Sequence, residues 1–234
     1  MTRVAIMQPT YLPWSGYFGL MQAVDVFIFL DSVQFARRSW QQRNQIKTAN
    51  GAQLLSVPVL SKGKRDQLIS EVEVDQSANS GLAHRKAIEM AYSKAPCFKD
   101  YADELLPLLE NPSPRLADLT IDLTLRLQSI LGIKTQILRS SEMNGVGSKA
   151  DLLASLCQQI GASTYISPPG SKDYLDESDA FEKIGVPVQY FEFKHPEYPQ
   201  LFGEFLPYMS IIDMLFNCGN RSLSLIETGI GVTQ

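Results

Sequence analysis

A ten-residue loop near the start of the chain, Gln8 to Tyr17, combines several residue types that can bind a ligand. Trp14 and Tyr17 offer aromatic faces that stack on a base or a sugar, and Gly16 lets the backbone approach a ligand closely. The helix expected after Gly16 points its amino end toward the same place, which favours an anion. The alternative is a rigid aromatic turn that closes the end of a sheet. The candidate binding residues of this loop are Gln8, Tyr11, Trp14, Gly16 and Tyr17.

Polar residues that follow the second predicted strand form another candidate set. Because the carboxyl ends of neighbouring parallel strands lie at one edge of a sheet, Asp31 and the residues after it are expected beside the first loop. The basic strip Arg37, Arg38, Arg43 and Lys47 fits phosphate binding, with a solvated face as the alternative. The candidate binding residues of this region are Asp31, Gln34, Arg43 and Lys47.

A second glycine-containing loop, from Ser167 to Tyr174, leaves another predicted strand end. Its polar density predicts that it faces the same cleft as the first loop, and the alternative is a surface turn fixed by Pro168 and Pro169. Its candidate residues are Ser167, Gly170 and Tyr174 for binding and Lys172 for catalysis.

His195 is the candidate general base, because it directly follows a predicted strand. A neutral imidazole, with an unperturbed pKa of about 6.5, suits the removal of a proton near neutral pH. Asp213 falls on an otherwise apolar helix and needs a partner, for which His195, Arg43 or a ligand amine qualifies, and we expect it to orient the imidazole ring. Tyr198 and Gln200 are binding candidates beside them. The alternative is a structural role for His195 at its strand end.

The remaining candidate motifs carry weaker signals. His84 lies with Arg85 and Lys86 on a helix face that is expected to meet solvent. The segment from Gly145 to Lys149 lacks the spacing of a phosphate-binding P-loop, so an ordinary helix start is the simpler interpretation. The three cysteines are widely spaced and predict free thiols, and no metal-ligand spacing occurs.

Composition narrows the class of protein. The chain has 234 residues, of which 44% are hydrophobic and 20% charged, which suffices for one large core. A net charge of −4 argues against a protein that coats nucleic acid. No signal peptide or membrane span is apparent, so we expect a cytoplasmic protein. The expected organisation is a single α/β domain over residues 1–234, with two packed lobes, 1–132 and 133–234, as a variant.

The order of elements predicts a parallel Rossmann-like sheet, of the nucleotidylyltransferase-like kind, flanked by helices. Buried strands at Val4 to Ile6 and Val26 to Leu30 enclose a short helix, and strand and helix alternate again after Gly132. Asn50-Gly51 predicts an inserted antiparallel hairpin, and Gln67 to Val74 predicts a third strand beside it. Three helices follow, and Pro107, Pro112 and Pro114 are expected to interrupt that helical run. A mostly helical segment, Phe205 to Ile226, closes the chain, with Ser210 as an N-cap and Gly219 as a break.

The opening of the chain resembles the adenylyltransferase-type fold of pantothenate synthetases. The resemblance rests on the strand, the proline-aromatic loop with Gly16-Tyr17, and the run Ile28 to Phe35 on the second strand. Trp14 and Tyr17 stand where that family has the two histidines of its loop motif. The resemblance implies nucleotide binding, and ATP with magnesium is the cofactor it suggests.

Nearly the whole chain resembles the WbqC-like family. The blocks that carry the resemblance are Gln8 to Phe18, Asp31 to Phe35, Arg43 to Lys47, Tyr165 to Leu175, His195 to Gln200 and Ser210 to Gly219. Proteins of that family occur among enzymes that build bacterial surface polysaccharides such as O-antigen. The resemblance therefore implies an acyl- or aminoacyltransferase, or an amide-forming ligase, that acts on an amino sugar.

The expected partner is a small molecule, a sugar nucleotide, with no membrane and with a homodimer left open. Two other functions stay open: a nucleotidyltransferase that acts on another small substrate, and a non-catalytic protein that binds sugar nucleotides. Common to all three is one cleft, which is expected to be lined by Gln8, Tyr11, Trp14, Tyr17, Asp31, Gln34 and Arg43.

Overall fold

A six-stranded, mostly parallel sheet forms the centre of the protein in a computed structural model that describes residues 1–110 and 112–233. Its strand order is β5-β2-β1-β6-β7-β8, and every pair of neighbours is parallel except β7 and β8. The strands of the described residues are β1 (Arg3–Met7), β2 (Val26–Phe29), β3 (Arg43–Thr48), β4 (Gly51–Ser56), β5 (Gln136–Arg139), β6 (Thr164–Ser167), β7 (Val188–Phe193) and β8 (Ile230–Thr233), of which β3 and β4 pair with each other outside this sheet. The predicted α/β class with a flanked, mainly parallel sheet is confirmed.

Both faces of the sheet are covered by helices, which explains why β1 and β2 are continuous apolar runs. Ala5 and Phe27 belong to the larger core, while Val4 and Val26 belong to the core on the other face. The helices are α1 (Ser15–Gln22), α2 (Ser80–Tyr92), α3 (Phe98–Glu110), α4 (Leu116–Leu131), α5 (Ala150–Gln159), α6 (Lys172–Asp176), α7 (Ala180–Lys183), α8 (Ile211–Cys218) and α9 (Ser222–Thr228). Residues of α5, α6 and α7 pack on the smaller core, and those of α1 to α4, α8 and α9 pack on the larger one.

The strand order reverses beside β1. The chain runs outward from β1 through β2 to β5 on one side, and β6, β7 and β8 continue on the other side. In open α/β sheets the carboxyl edge of such a reversal is the preferred place for a ligand, because the connections leave the strand ends in opposite directions. The crevice between the ends of β1 and β6 is therefore the place to look for a site.

The inserted antiparallel segment has two strands and not three. β3 and β4 form the hairpin predicted from Asn50-Gly51. The region from Gln67 to Val74 instead contains a 3-10 helix, Ile69–Glu71, and single bridges of Leu68 with Gln34 and of Val74 with Val59. Buried Ile69 and Val72 are three residues apart, which is the period of a 3-10 turn and not of a strand.

The other expected elements occur with adjusted boundaries. Pro107 was expected to interrupt the helical run, but it lies inside α3, and the interruption falls after Glu110. Ser210 caps α8 by accepting a hydrogen bond from the Ile212 amide, and Gly219 separates α8 from α9 as predicted. Residues 205–209 are not helical, and α6 and β8 are elements that the sequence patterns did not predict.

Residues 1–132 and 133–234 both contribute strands to the one six-stranded sheet. The division into two lobes stays a prediction. Among the described residues, none of the helices has the length and apolar character needed to cross a membrane.

Candidate functional site

An apolar cavity of about 590 Å³ lies between the loop after β1, the hairpin and the residues before α8. Its volume is within the range of roughly 300–1,000 Å³ that is usual for small-molecule sites. Aromatic and aliphatic side chains dominate its wall, and Thr10, Asn44 and Gln45 add polar groups. The lining residues are Met7, Thr10, Trp14, Tyr17, Trp40, Asn44, Gln45, Ala52, Leu206, Pro207, Tyr208 and Met209.

A second, more polar pocket of about 250 Å³ adjoins this cavity at the crevice between β1 and β6. Met7, Thr10 and Trp40 border both spaces, so we treat the apolar cavity and the polar pocket as the two compartments of one cleft. The polar pocket is lined by Ile6, Met7, Gln8, Thr10, Leu30, Ser39, Trp40, Gln41, Leu153, Pro168, Ser171 and Tyr174.

The aromatic loop after β1 forms one wall of the cleft, and Gly16 makes this arrangement possible. The Trp14 indole folds back over Gly16, where a Cβ atom would overlap the ring. Tyr17 is buried, and its hydroxyl donates a hydrogen bond of 3.1 Å to the Gln8 carbonyl. The Gln8 side chain accepts a bond of 2.8 Å from Gln41, which fixes the border of the polar pocket. Gln8, Trp14 and Tyr17 thus lie where the sequence predicted.

His195 lies directly behind the aromatic wall. Its ring stacks on Trp14 at a centroid distance of 6.1 Å and meets Tyr208 edge-on at 5.4 Å. Nδ1 is 2.9 Å from the Pro196 carbonyl, which can only accept, so in the neutral ring Nδ1 carries the proton. Nε2 is then the accepting nitrogen, and it lies 3.3 Å from Ser15 Oγ. Burial lowers the pKa of His195, against the opposing effects of the Pro196 carbonyl and the Asp213 charge.

Asp213 does not orient His195, contrary to the expectation from sequence. Its buried carboxylate accepts hydrogen bonds from the Tyr92 hydroxyl at 2.8 Å, the Tyr198 hydroxyl at 2.9 Å and the Gln200 amide at 2.8 Å. Burial raises the pKa of Asp213, and these three bonds oppose the rise. The ring nitrogens of His195 have other partners, so Asp213 acts on His195 through its charge alone.

The Asp213 network holds the loop that forms the outer wall of the apolar cavity. Gln200 also bonds the Leu206 amide and carbonyl, at 2.8 and 3.0 Å, and the buried Lys47 ammonium donates to the Glu204 carbonyl. Phe202 and Tyr208 have positive φ values of 65° and 62°, an unfavourable conformation for aromatic residues that the surrounding bonds must maintain. Lys47, Tyr198 and Gln200 therefore support the cleft without lining it.

Other sequence candidates lie outside the cleft. The Asp31 carboxylate is buried in an ion pair with Arg139 at 2.8 Å and accepts from Ser140 and Ser141, so it ties β2 to β5. Tyr11 is buried, and its hydroxyl lies 2.7 Å from Nδ1 of His84. His84 was expected to face solvent, but it is buried as well. Gln34 bonds Asp66 in an exposed loop. Arg43 is half-buried in β3, and its Nε has no partner among the described residues.

The loop from Ser167 to Tyr174 reaches the cleft in part. Tyr174 lines the polar pocket, as do Pro168 and Ser171. Ser167 is buried and donates to the Pro168 carbonyl, while Gly170 is exposed. Lys172 is exposed as well, with its ammonium 5.1 Å from the centre of the Tyr190 ring, outside the pocket lining. The predicted role of Lys172 in catalysis gains no support from this position.

Several residues at or behind the cleft wall have no local signal in the sequence. Ser15 lies behind the wall, and its partner, His195, is 180 positions away along the chain. Trp40 and Tyr208 are large aromatic side chains that are more than half exposed at the cavity, and such exposure is a sign of binding that only the fold reveals.

The lining of the cleft does not fit ATP with magnesium. Among the residues that the structure describes, no charged side chain lines either compartment, whereas a triphosphate site needs lysine, arginine or a metal to balance its charge. In the part of the chain that the structure describes, no cluster of histidine, cysteine, aspartate or glutamate could hold a metal ion. A nucleotide with its phosphates inside the cleft is therefore unsuited to these residues.

Comparison with known proteins identifies the family. The family model described as the WbqC-like protein family matches residues 8–225. The chain is 40% identical over 221 residues to "Uncharacterized protein Rv1507c" of Mycobacterium tuberculosis (strain ATCC 25618 / H37Rv), a match that covers 94% of this chain and 95% of that protein. No solved structure matches the chain. The resemblance to pantothenate synthetases stays a prediction. The chain belongs to the WbqC-like protein family.

Proposed function

We propose that this protein transfers an acyl or aminoacyl group from an activated donor to the amine of an amino sugar carried by a nucleotide, in the biosynthesis of a bacterial surface polysaccharide. The observation that carries the proposal is His195. Its Nε2 is unprotonated near neutral pH, and its ring packs on two side chains that line a cavity large enough for an acyl group. A base beside an acyl site is what amide formation from an amine requires.

The apolar cavity suits the acyl group. Its wall is made of methionine, tryptophan, tyrosine and leucine side chains, which favour an apolar chain or ring because both surfaces leave water on binding. Asn44 and Gln45 provide a few polar groups at the same wall. An acyl group with an apolar body would enter here, with its carbonyl end beside Trp14 and Tyr208, the two lining residues on which His195 packs.

The polar pocket suits the sugar. Gln8, Gln41, Ser171 and Tyr174 present amide and hydroxyl groups, which are the usual partners of sugar hydroxyls. In this arrangement the sugar ring occupies the polar pocket, and the diphosphate extends out of its mouth.

The reaction needs one base and one leaving group. The sugar amine attacks the acyl carbonyl, a C–N bond forms, and the bond from the carbonyl to the donor breaks. The proton lost by the amine moves to His195 Nε2 and from there to the leaving group. Nδ1 stays bonded to the Pro196 carbonyl throughout, so the ring keeps one orientation in both protonation states.

The uncharged lining favours a donor that is activated before it reaches this protein, such as an acyl thioester. Activation of a free acid by ATP inside the cleft would place a triphosphate among neutral side chains. The same observation weighs against a nucleotidyltransferase. A protein that only binds a sugar nucleotide remains the competing function, because stacking aromatic side chains serve binding and catalysis alike.

The test is to incubate the protein with acyl thioesters and nucleotide-linked amino sugars and to search for the amide by mass spectrometry. A parallel set contains free acids with ATP and magnesium. We expect an acylated sugar with a thioester and no dependence on ATP. An acylated sugar that appears only with ATP, or release of AMP or ADP, would contradict the proposed donor, and tight binding without any product would favour the competing function.

A further inference from the structure

Ser15 and His195 form a pair that has the geometry of a nucleophile and its base. Ser15 Oγ is 3.3 Å from His195 Nε2, and the opposite nitrogen is held by the Pro196 carbonyl at 2.9 Å. Because Nδ1 carries the proton, the serine hydroxyl is the donor and Nε2 the acceptor in this contact. A nucleophile, a base and a third group that orients the base is the arrangement of covalent acyl-transfer sites.

The position of Ser15 also favours this chemistry. Ser15 is the first residue of α1, and its hydroxyl does not cap the helix, because Trp14 is the N-cap residue and no side-chain capping bond forms. The amino end of a helix stabilises negative charge nearby, which helps an oxyanion that develops on an acyl carbonyl. The side chain is therefore directed to the imidazole and not to the helix backbone.

The aromatic wall of the apolar cavity packs against this pair. Ser15 is buried, and both Trp14, which precedes it, and Tyr17, two positions after it, line the cavity. His195 packs on Trp14 and on Tyr208, which is 61% exposed. Tyr208 packs edge-on against both His195 and Trp14, so displacement of its exposed ring would open the wall beside the imidazole.

We propose that Ser15 accepts the acyl group from the donor and holds it as an ester before it passes to the sugar. This inference rests on the proposed function. In the first step Ser15 Oγ attacks the thioester carbonyl, its proton moves to His195 Nε2, the C–S bond breaks, and the thiol leaves with that proton. In the second step the sugar amine attacks the ester, its proton moves through His195 to Ser15 Oγ, and the C–O bond breaks.

The acyl-enzyme explains two features of the site together. An uncharged cavity next to the pair can hold the acyl chain while donor and acceptor exchange places in the cleft. The base is used twice, once for the serine and once for the amine, so no second catalytic histidine is needed. His84, the other histidine, is buried against Tyr11 and far along the chain from this wall.

A fluorophosphonate with a short alkyl chain tests the proposal without any natural substrate, since a serine hydroxyl that is activated by a base displaces its fluoride. We expect one adduct per chain, located on the Ser15 peptide by mass spectrometry. His195→Asn should slow labelling by roughly 100-fold or more. Ser15→Ala should abolish it, and Tyr208→Ala should accelerate it. Ser222→Ala, which removes another buried serine hydroxyl bonded to the Met214 carbonyl, is the matched control and should label like the unaltered protein.

Peptide mapping of the unaltered protein and of Tyr208→Ala shows whether Ser15 is labelled. The test of the proposal therefore does not depend on whether Ser15→Ala folds. Absence of a Ser15 adduct in both proteins would overturn the proposal, as would equal labelling in His195→Asn. Amide formation that persists in folded Ser15→Ala would refute the nucleophile while leaving the proposed function intact. A Ser15 adduct in a protein that forms no amide from any donor would support the nucleophile and count against the proposed sugar acceptor.

Discussion

Individual side chains in this protein acquire their properties from burial more than from their neighbours along the chain. His195 and Asp213 both lie in the region that the sequence marked as catalytic, yet the structure separates their roles. Burial lowers the pKa of His195 and so favours the neutral imidazole. The Asp213 carboxylate instead accepts hydrogen bonds from two tyrosine hydroxyls and a glutamine amide. The proposed chemistry therefore depends on one histidine and its serine partner.

The pH dependence of turnover should report the His195 base. Its pKa is lowered by burial, so the neutral form persists below pH 6.5 and the rate should fall only under more acidic conditions. His195→Asn keeps a polar side chain but removes the base. We expect turnover to drop by roughly two to four powers of ten, and the remaining rate should no longer fall at acidic pH through this residue. A variant with normal turnover per folded molecule and a lowered melting temperature would assign His195 a structural role.

His84 should make the folded protein sensitive to acid. Burial lowers its pKa to about 4, below the 6.5 of an exposed imidazole, so the unfolded chain binds the proton more readily. The stability contributed by neutral His84 is therefore complete above pH 6.5 and is lost as the pH falls toward 4. The difference between a pKa of about 4 in the folded protein and 6.5 in the unfolded chain corresponds to roughly 3 kcal/mol in the free energy of unfolding.

Denaturant unfolding at pH 7.5 and pH 5 checks this contribution. His84→Asn places an amide oxygen near the position of Nδ1, where it can still accept from Tyr11, and it cannot titrate. The variant should show a smaller loss of stability between the two pH values than the unaltered protein. Identical losses in the two proteins would mean that other groups account for the acid sensitivity.

At the scale of elements, the turn into α1 and the loop of residues 199–209 determine the shape of the cleft. Both depart from regular structure, and both are fixed by bonds to distant parts of the chain. The Ser210 amide donates to the Gln45 carbonyl and the Ile211 amide donates to the Pro13 carbonyl, each at 2.8 Å. The two walls of the apolar cavity are thereby connected at its base.

Gly16→Ala tests the turn into α1. Alanine favours a helix, but its methyl group would overlap the Trp14 ring and push the indole from the cavity wall. We expect ligand affinity and turnover to fall at least tenfold, a change of about 1.4 kcal/mol in binding free energy.

Gly170→Ala is the matched control, because a methyl group there meets nothing within 4 Å and the residue does not line the polar pocket. Calorimetric titration with a nucleotide-linked amino sugar compares the two variants. Equal affinities would show that the position of Trp14 is irrelevant to binding.

Asp213→Asn tests the network that holds the 199–209 loop. The amide nitrogen introduced by the substitution cannot accept, so at least one of the buried donors from Tyr92, Tyr198 and Gln200 loses its partner. We expect a loss of roughly 1–3 kcal/mol in the free energy of unfolding.

Asp176→Asn provides the comparison on the surface. The Asp176 carboxylate also accepts from a tyrosine hydroxyl, that of Tyr190 at 2.6 Å, but in an exposed position. Its replacement should change the free energy of unfolding by about 0.5 kcal/mol or less. Thermal or urea unfolding of both variants gives the values, and equal effects would argue against a special role for the buried network.

The sequence predicts regular elements well and irregular segments poorly. The apolar runs of β1 and β2 and the Asn50-Gly51 turn are local signals, and the structure contains all three elements. The prediction of a strand at Gln67 to Val74 was wrong, because the alternating apolar residues there also fit a 3-10 turn with single bridges. Of the candidate residues expected after strand ends, Gln8, Trp14, Tyr17 and Tyr174 line the cleft. Ser15 with His195, and the wall formed by Tyr208, depend on contacts between residues nearly 200 positions apart, which no local pattern encodes.

At the scale of the whole molecule, the reversal of strand order beside β1 explains why the polar pocket lies where it does. The carboxyl ends of β1 and β6 open this pocket, and the hairpin and the 199–209 loop extend it into the apolar cavity. The chain carries a net charge of −4, yet the cleft is lined by uncharged side chains. A neutral acyl group and a sugar ring match such a lining better than phosphates do.

The most direct test of acyl transfer is to observe the new bond itself. A thioester with a ¹³C-labelled carbonyl and a nucleotide-linked amino sugar with a ¹⁵N-labelled amine are mixed with the protein, and the carbonyl signal is followed by NMR. We predict a new ¹³C signal that is split by its bond to ¹⁵N, formed without ATP and absent with His195→Asn. An unsplit spectrum with every thioester offered to the folded protein, or a split signal that requires ATP, would contradict the account.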